Sequence, residues 1–227
     1  PPGTSKTYSA RNLAESFVAR RQLTAGKLTI QQYLDSQYGN QAMNGKYINK
    51  LQLHANYGYE QFIAGQTLKG DRIETVKGYF LIRCEEAEKD PDNPYVLILD
   101  EINRVDLAKV FGEAFSCIEN RGEPIDLPFD DGDNSMKICV PENLYIIGTM
   151  NEIDFSLERL DFALRRRFLW YKHGFDSEVL RDMLVPQIAE DDREEFITRV
   201  EKLNREISSI DELGVQHEIG HTGFADI

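Results

Sequence analysis

The chain has 227 residues, 41% hydrophobic and 29% charged, a balance that suits one large folded domain with at most a small satellite and excludes a disordered tail. A formal net charge of −13 repels a phosphate backbone on average, so this segment is expected to be a poor stand-alone nucleic-acid binder. No apolar run approaches the ~20 residues of a membrane helix, no secretory signal pattern opens the chain, and Cys84, Cys117 and Cys139 lack metal-ligand spacing, reading as buried thiols of a reducing cytoplasm.

In chain order, a Gly/Ser/Thr turn leads into a helix expected from Thr7 to about Arg21. Residues Gly26–Gly45 are polar and Gln-rich, with a helix expected over Thr29–Tyr38. Leu51–His54 reads as a short strand and Val76–Lys89 as a helix closed by Asp90-Pro91-Asp92-Asn93-Pro94, a strong stop signal. Tyr95-Val96-Leu97-Ile98-Leu99-Asp100 has no polar alternation, as a strand buried on both faces should. An amphipathic helix is expected over Leu107–Glu119, a hairpin over Glu123–Val140, a second buried strand over Leu144–Thr149 and a third over Phe168–Lys172. Beyond Asp176 the pattern turns helical and charged, over Ser177–Leu184 and Arg193–Ile207. Strands alternating with helices predict an α/β fold, a parallel sheet with helices on both faces in three layers, followed by a small helical lid. The expected division is a nucleotide-binding core over 1–174 and a lid over 175–227.

Three features carry chemistry. Pro1-Pro2-Gly3-Thr4-Ser5-Lys6-Thr7 matches the end of the phosphate-loop pattern G-x-x-x-x-G-K-[ST], whose first Gly would precede Pro1 and whose second is replaced by Ser5. Small residues let backbone N–H groups close around phosphates, and the helix N-terminus favours negative charge. Lys6 would reach the β- and γ-phosphates and the Thr7 hydroxyl would ligate Mg²⁺. A plain turn capping a helix would present the same residues. Such a loop hangs from a buried strand, which would lie upstream of Pro1, so the segment reads as an excerpt of a longer chain. The strand ending in Asp100-Glu101 offers a carboxylate for the Mg²⁺ shell and one to orient or deprotonate the attacking water; two solvated acids at a strand end are the bland reading. After the next buried strand, Asn151 offers a neutral amide to the γ-phosphate or the water, with Asp154 close behind. Arg165, Arg166 and Arg167 precede Phe168, a poor core sequence that makes sense if one of them is an arginine finger for a neighbouring subunit. A solvated basic turn is the other reading.

Together these residues resemble the AAA+ superfamily and, within it, the McrB family of GTP-hydrolysing motor subunits of modified-cytosine restriction systems. The resemblance is densest in Leu99-Asp100-Glu101-Ile102-Asn103-Arg104, in Lys109–Glu113, in Val140–Asn151 and in Asp161–Phe168; it extends upstream to Leu53–Ile63 and downstream to Ile219-Gly220-His221-Thr222-Gly223-Phe224, which is similar to the family's lid motif. The family's sensor reads Met-Asn-Thr-Ala-Asp-Arg-Ser; here Asn151 and Asp154 match, while Glu152, Ile153 and Phe155 depart. The resemblance implies nucleotide contacts from Pro2, Gly3, Thr4, Ser5, Lys6, Thr7, Tyr8 and His221, and Mg²⁺ held through Thr7 and Asp100. It also implies GTP in preference to ATP, a cytoplasmic hexameric ring, a nuclease partner of McrC type, and DNA read mainly by a domain outside this segment, with no membrane partner. An ATP-driven chaperone of the MoxR type shares the sheet and motifs and is the competing function. A degenerate, non-hydrolysing scaffold is the third; it predicts no turnover.

Overall fold

The computed structural model describes residues 4–32, 45–131, 134–151, 165–185, 188–214 and 217–224. Its elements are α1 (Lys6–Thr24), β1 (Ile48–Gln52), α2 (Tyr59–Phe62), β2 (Ala64–Lys69), β3 (Arg72–Lys77), α3 (Tyr79–Glu88), β4 (Tyr95–Asp100), α4 (Leu107–Phe111), α5 (Ala114–Glu119), β5 (Ile125–Asp131), β6 (Asn134–Ile138), β7 (Leu144–Gly148), α6 (Ser177–Leu184) and α7 (Glu190–Ser209). They fall into two compact units, one of Ala10–Thr149 with Leu157–Leu169, the other of Pro1–Ser9 with Met150–Ser156 and Trp170–Ile227.

In the first unit β1, β4 and β7 form a parallel sheet in that order. All six residues of the central β4 are buried, which is why its sequence shows no alternation. One helix turn apart, Ala10, Ala14 and Val18 form a narrow stripe on α1 that packs against Ile48, Val96 and Ile98 of the sheet. The small side chains let the helix lie close, and Phe17 meets Tyr145 edge-on at 4.5 Å. Leu97 and Leu99 are equally buried on the opposite face. Removing one such side chain forfeits roughly 1.5–3 kcal/mol of burial. Asn143, just before β7, donates to the carbonyls of Ala87, Asp90 and Asn93 at 2.8–3.0 Å, tying the strand to the loop that ends α3.

Several boundaries differ from the sequence expectation. The strand expected at Leu51–His54 runs instead over Ile48–Gln52. Val76 and Lys77 end β3, whose antiparallel hairpin with β2 had no sequence forecast; the helix starts only at Tyr79. Glycine at position 78 makes that junction possible, because a Cβ there would collide with the Phe62 carbonyl carbon. The close approach lets Phe80 stack on Phe62 at 4.9 Å, with Phe111 at 4.7 Å from Phe62. The single helix expected over Leu107–Glu119 is two, broken at Gly112, whose φ of 49° favours glycine and where a Cβ would come within 2.6 Å of the Tyr59 ring. No strand forms over Phe168–Lys172: these residues are irregular, and Leu169 and Tyr171 are exposed. An apolar run of four residues followed by a lysine does not by itself distinguish a buried strand from a surface segment. Most of the helix expected over Thr29–Tyr38 lies outside the described residues. Cys84 and Cys117 are buried free thiols, and burial pushes Cys117 up to about 11.

In the second unit α6 and α7 pair through Leu180, Leu184, Ile197 and Val200, with Phe175, Phe196 and Phe224 packed around them. The Asp176 side chain caps α6 by accepting from the Glu178 and Val179 amides at 2.9 and 3.3 Å. Arg181 grips Glu194 across the pair with two hydrogen bonds, of 2.6 and 3.0 Å. No helix among the described residues is long and apolar enough to cross a membrane.

Candidate functional site

The loop and the first turn of α1 belong to the second unit. Ser5 sits at φ 54°, a left-handed conformation that costs a non-glycine residue roughly 1 kcal/mol. This is the position at which the phosphate-loop pattern has glycine, the residue that adopts a positive φ most readily. Ser5→Gly is expected to raise stability by about 0.5–1 kcal/mol in urea unfolding, offset in part by the entropy of the added glycine. Lys6 begins α1 and donates from Nζ to Oγ1 of the buried Thr4 at 3.1 Å, so the ammonium curls over its own loop. Thr7 is part-buried, while Tyr8 is 67% exposed. Pro2 and Gly3 lie outside the described residues.

Further along the same unit, His173 Nε2 and Ser9 Oγ share a hydrogen bond of 3.0 Å on the helix that Lys6 and Thr7 open. The His221 ring lies 6.3 Å from that of His173 and is only 1% exposed, and neither of its nitrogens has a hydrogen-bond partner among the described residues. What holds the His221 loop is Asn204 on α7, which donates to the Ile219 carbonyl at 3.0 Å and accepts from the Ile219 amide at 2.8 Å. Burial and then the neighbouring His173 depress the His221 pKa, with Asp176 opposing. A histidine whose folded pKa lies below its unfolded one contributes full stability above the unfolded value, near 6.5, and loses it as pH falls through the folded one. The melting temperature is therefore expected to drop between pH 7.5 and 5.5, and His221→Gln to flatten that part of the profile. A profile unchanged by the substitution would remove His221 as the cause.

The carboxylates lie in the first unit. Asp100, 7% exposed at the end of β4, accepts a short hydrogen bond from the Thr149 hydroxyl, and its Oδ2 lies 2.7 Å from Lys50 Nζ. Glu101 follows at φ 58°, the left-handed region again, which turns its side chain off the strand line. Its Oε2 accepts from Gln52 Nε2 at 2.9 Å and its Oε1 lies 3.0 Å from Arg104. The backbone beneath is pinned: the amides of Leu53, Ile102 and Thr149 donate to the carbonyls of Asp100, Thr149 and Leu99, each at 2.9 Å. Lys50, Gln52, Arg104 and Thr149 were not singled out from the sequence. Arg104 was visible as an i+3 partner of Glu101; the two β1 residues depend on a strand register that composition does not disclose. For Mg²⁺ the Asp100 carboxylate fits, a hard oxygen ligand in a largely buried position that already holds the Lys50 ammonium 2.7 Å from Oδ2.

Asn151 is part-buried three residues past β7, and Asp154 lies outside the described residues. The three arginines do not share one environment. Arg165 and Arg166 are exposed, with Arg166 3.5 Å from Glu119. The Arg167 side chain is 11% exposed, 3.2 Å from Glu119 and stacked over Phe115 at 5.3 Å. The aromatic beneath Arg167 is thus the buried Phe115, while Phe168 is only part-buried.

A model of the AAA domain (dynein-related subfamily) matches residues 25–168, which include the sheet, both carboxylates and the arginines. The chain belongs to the AAA family. It is McrB-like over nearly its whole length: it is 37% identical over 231 residues, 99% of this chain and 46% of the relative, to the Type IV methyl-directed restriction enzyme EcoKMcrB subunit of Escherichia coli (strain K12). It is also 32% identical over 105 residues, 41% of this chain and 31% of the relative, to the Type II restriction enzyme BsuMI component YdiS of Bacillus subtilis (strain 168). This AAA chain therefore spans less than half the length of the curated relatives it matches. The family match starts after the phosphate loop, so Thr4–Tyr8 rest on their own pattern and on the McrB likeness.

Proposed function

We propose that this AAA domain hydrolyses a nucleoside triphosphate, GTP in preference to ATP, and that the hydrolysis drives DNA translocation in a restriction system directed at modified cytosine. The observation that carries the reading is the Asp100–Glu101 pair at the end of a fully buried strand, one carboxylate beside a cation and the other turned off the strand line. The restriction context is supported by the McrB likeness over 99% of the chain.

In this reading residues 1–174 are the nucleotide-binding core and 175–227 the lid. Lys6 neutralises phosphate charge, backbone N–H groups of Gly3–Tyr8 cradle the phosphates beside Pro2, which has no N–H to give, and His221 meets the nucleotide from the lid. Thr7 and Asp100 hold Mg²⁺, which supplies charge neutralisation of the phosphate oxygens. Glu101 takes the proton of the attacking water, and Asn151 and Asp154 orient that water. Arg165 or Arg166 reaches the nucleotide of the next subunit in a hexameric cytoplasmic ring. Arg167, committed to Phe115 and Glu119, fixes the segment that carries them. A nuclease subunit of McrC type docks on the ring, and DNA is read mainly by a separate domain, in keeping with the net charge of −13 here.

The test is phosphate release by the purified full-length protein with Mg²⁺ and GTP or ATP, alone and with its nuclease partner. Turnover of GTP supports the assignment. Turnover of ATP alone overturns the guanine preference, and turnover of neither overturns the enzyme reading.

A further inference from the structure

Lys50 and Gln52 stand two residues apart on β1 and so share one face of the strand. Each meets one carboxylate at the end of the neighbouring strand: Lys50 Nζ lies 2.7 Å from Oδ2 of Asp100, its last residue, and Gln52 Nε2 lies 2.9 Å from Oε2 of Glu101, which follows it. The Gln52 contact needs only a hydrogen-bond donor. The Lys50 contact brings a full positive charge to the one carboxylate assigned to a divalent cation, from a side chain that is 45% exposed and has solvent to retreat into. An ammonium on a four-carbon stem is a mobile point charge, unlike a guanidinium fork.

We propose that Lys50 is the built-in counter-ion of Asp100. Its ammonium competes with a divalent cation for the charge of that carboxylate, so Lys50 has to give up its 2.7 Å contact when the cation, direct or through its water shell, is bound. Two consequences follow from the charges alone. The buried carboxylate keeps a partner throughout the cycle, which spares the fold an uncompensated charge. The metal affinity is set lower than the bare oxygen set would give, because the cation has to displace a resident charge. The inference rests on the assignment of Asp100 to the metal, and the test separates the two.

Mn²⁺ binding is measured by electron paramagnetic resonance on the full-length protein saturated with the β,γ-imido analogue of GTP and, in parallel, of ATP. Lys50→Met keeps the length of the side chain and drops the charge. It is expected to bind Mn²⁺ about 5- to 10-fold more tightly, the counterpart of a partly screened ion pair of roughly 1 kcal/mol. Lys50→Arg, which keeps the charge, is expected to stay within about twofold of the parent. Without metal, Lys50→Met should melt lower than the parent and regain the difference on adding Mn²⁺; Lys50→Gln takes its place if Lys50→Met does not fold. An unchanged or weaker Mn²⁺ affinity in the neutral variants, with Asp100→Asn weakened as assigned, makes Lys50 a structural ion pair and overturns the proposal. Unchanged Mn²⁺ binding in Asp100→Asn overturns the metal assignment and the inference with it.

Discussion

Glu101→Gln is expected to bind nucleotide like the parent protein and to lose about 10²–10⁴-fold in turnover, the range of a positioned acid–base group. The substitution is gentle to the fold. Glutamine keeps the side-chain length and the hydrogen bond with Gln52; what it loses is the ion pair with Arg104, whose side chain is 43% exposed and whose pairing contributes little to stability. Alanine would be a poorer probe, since it would also abandon both contacts of a residue held at φ 58°. Single-turnover hydrolysis, nucleotide affinity and melting temperature measured on one preparation separate the outcomes. Parent-like turnover would take Glu101 out of the chemistry, and lost binding would make it a structural residue.

The second large effect concerns the arginines, where the expected results diverge within three consecutive residues. Arg165→Ala with Arg166→Ala is expected to cut hydrolysis by about 10³-fold or more, as loss of an arginine finger does, with the subunit's melting temperature unchanged. Arg167→Ala is expected to act the other way. Its stacking over Phe115 and pairing with Glu119 support a stability loss of about 1–2 kcal/mol, and activity falls only as far as folding does. Mixing the double variant with Lys6→Ala subunits provides the decisive comparison. If the finger acts on the neighbouring subunit, the mixture recovers part of the activity that each lacks, because some junctions pair an intact loop with an intact arginine. No recovery at any ratio would place the arginines in the same subunit's chemistry or outside it.

The site was legible where chemistry is written in consecutive residues and obscure where it depends on pairing across strands. Asp100-Glu101 announces itself because a run of five apolar residues ends in two acids, and the structure buries those five together with Asp100. Lys6 and Thr7 follow a turn of small residues. Ser5 takes a positive φ where the pattern has glycine, a backbone match that the sequence registers only as a mismatch of residue type. Lys50 and Gln52 look like unremarkable polar residues in a short strand until the register sets Gln52 opposite Asp100. The β2–β3 hairpin escaped notice because Ile73-Glu74-Thr75-Val76-Lys77 continues into an apolar helix without a break other than Gly78, and one glycine inside a helical pattern is usually tolerated. The same residue type marks the miss at Gly112: what decides there is the Tyr59 ring, a contact 53 positions away in the chain. His221 was found only through a family resemblance; that it would be buried beside His173 is not a property of either residue's neighbours in the sequence.

The three backbone hydrogen bonds beneath the carboxylates have a bearing on time as well as shape. With the amides of Leu53, Ile102 and Thr149 each bonded across the sheet's end at 2.9 Å, their protons are expected to exchange with solvent only when that end of the sheet opens. Slow exchange of these three amides, measured by hydrogen–deuterium exchange, is the expected result for the peptide frame under Asp100 and Glu101. On such a frame the two carboxylates would move by side-chain rotation, which is fast.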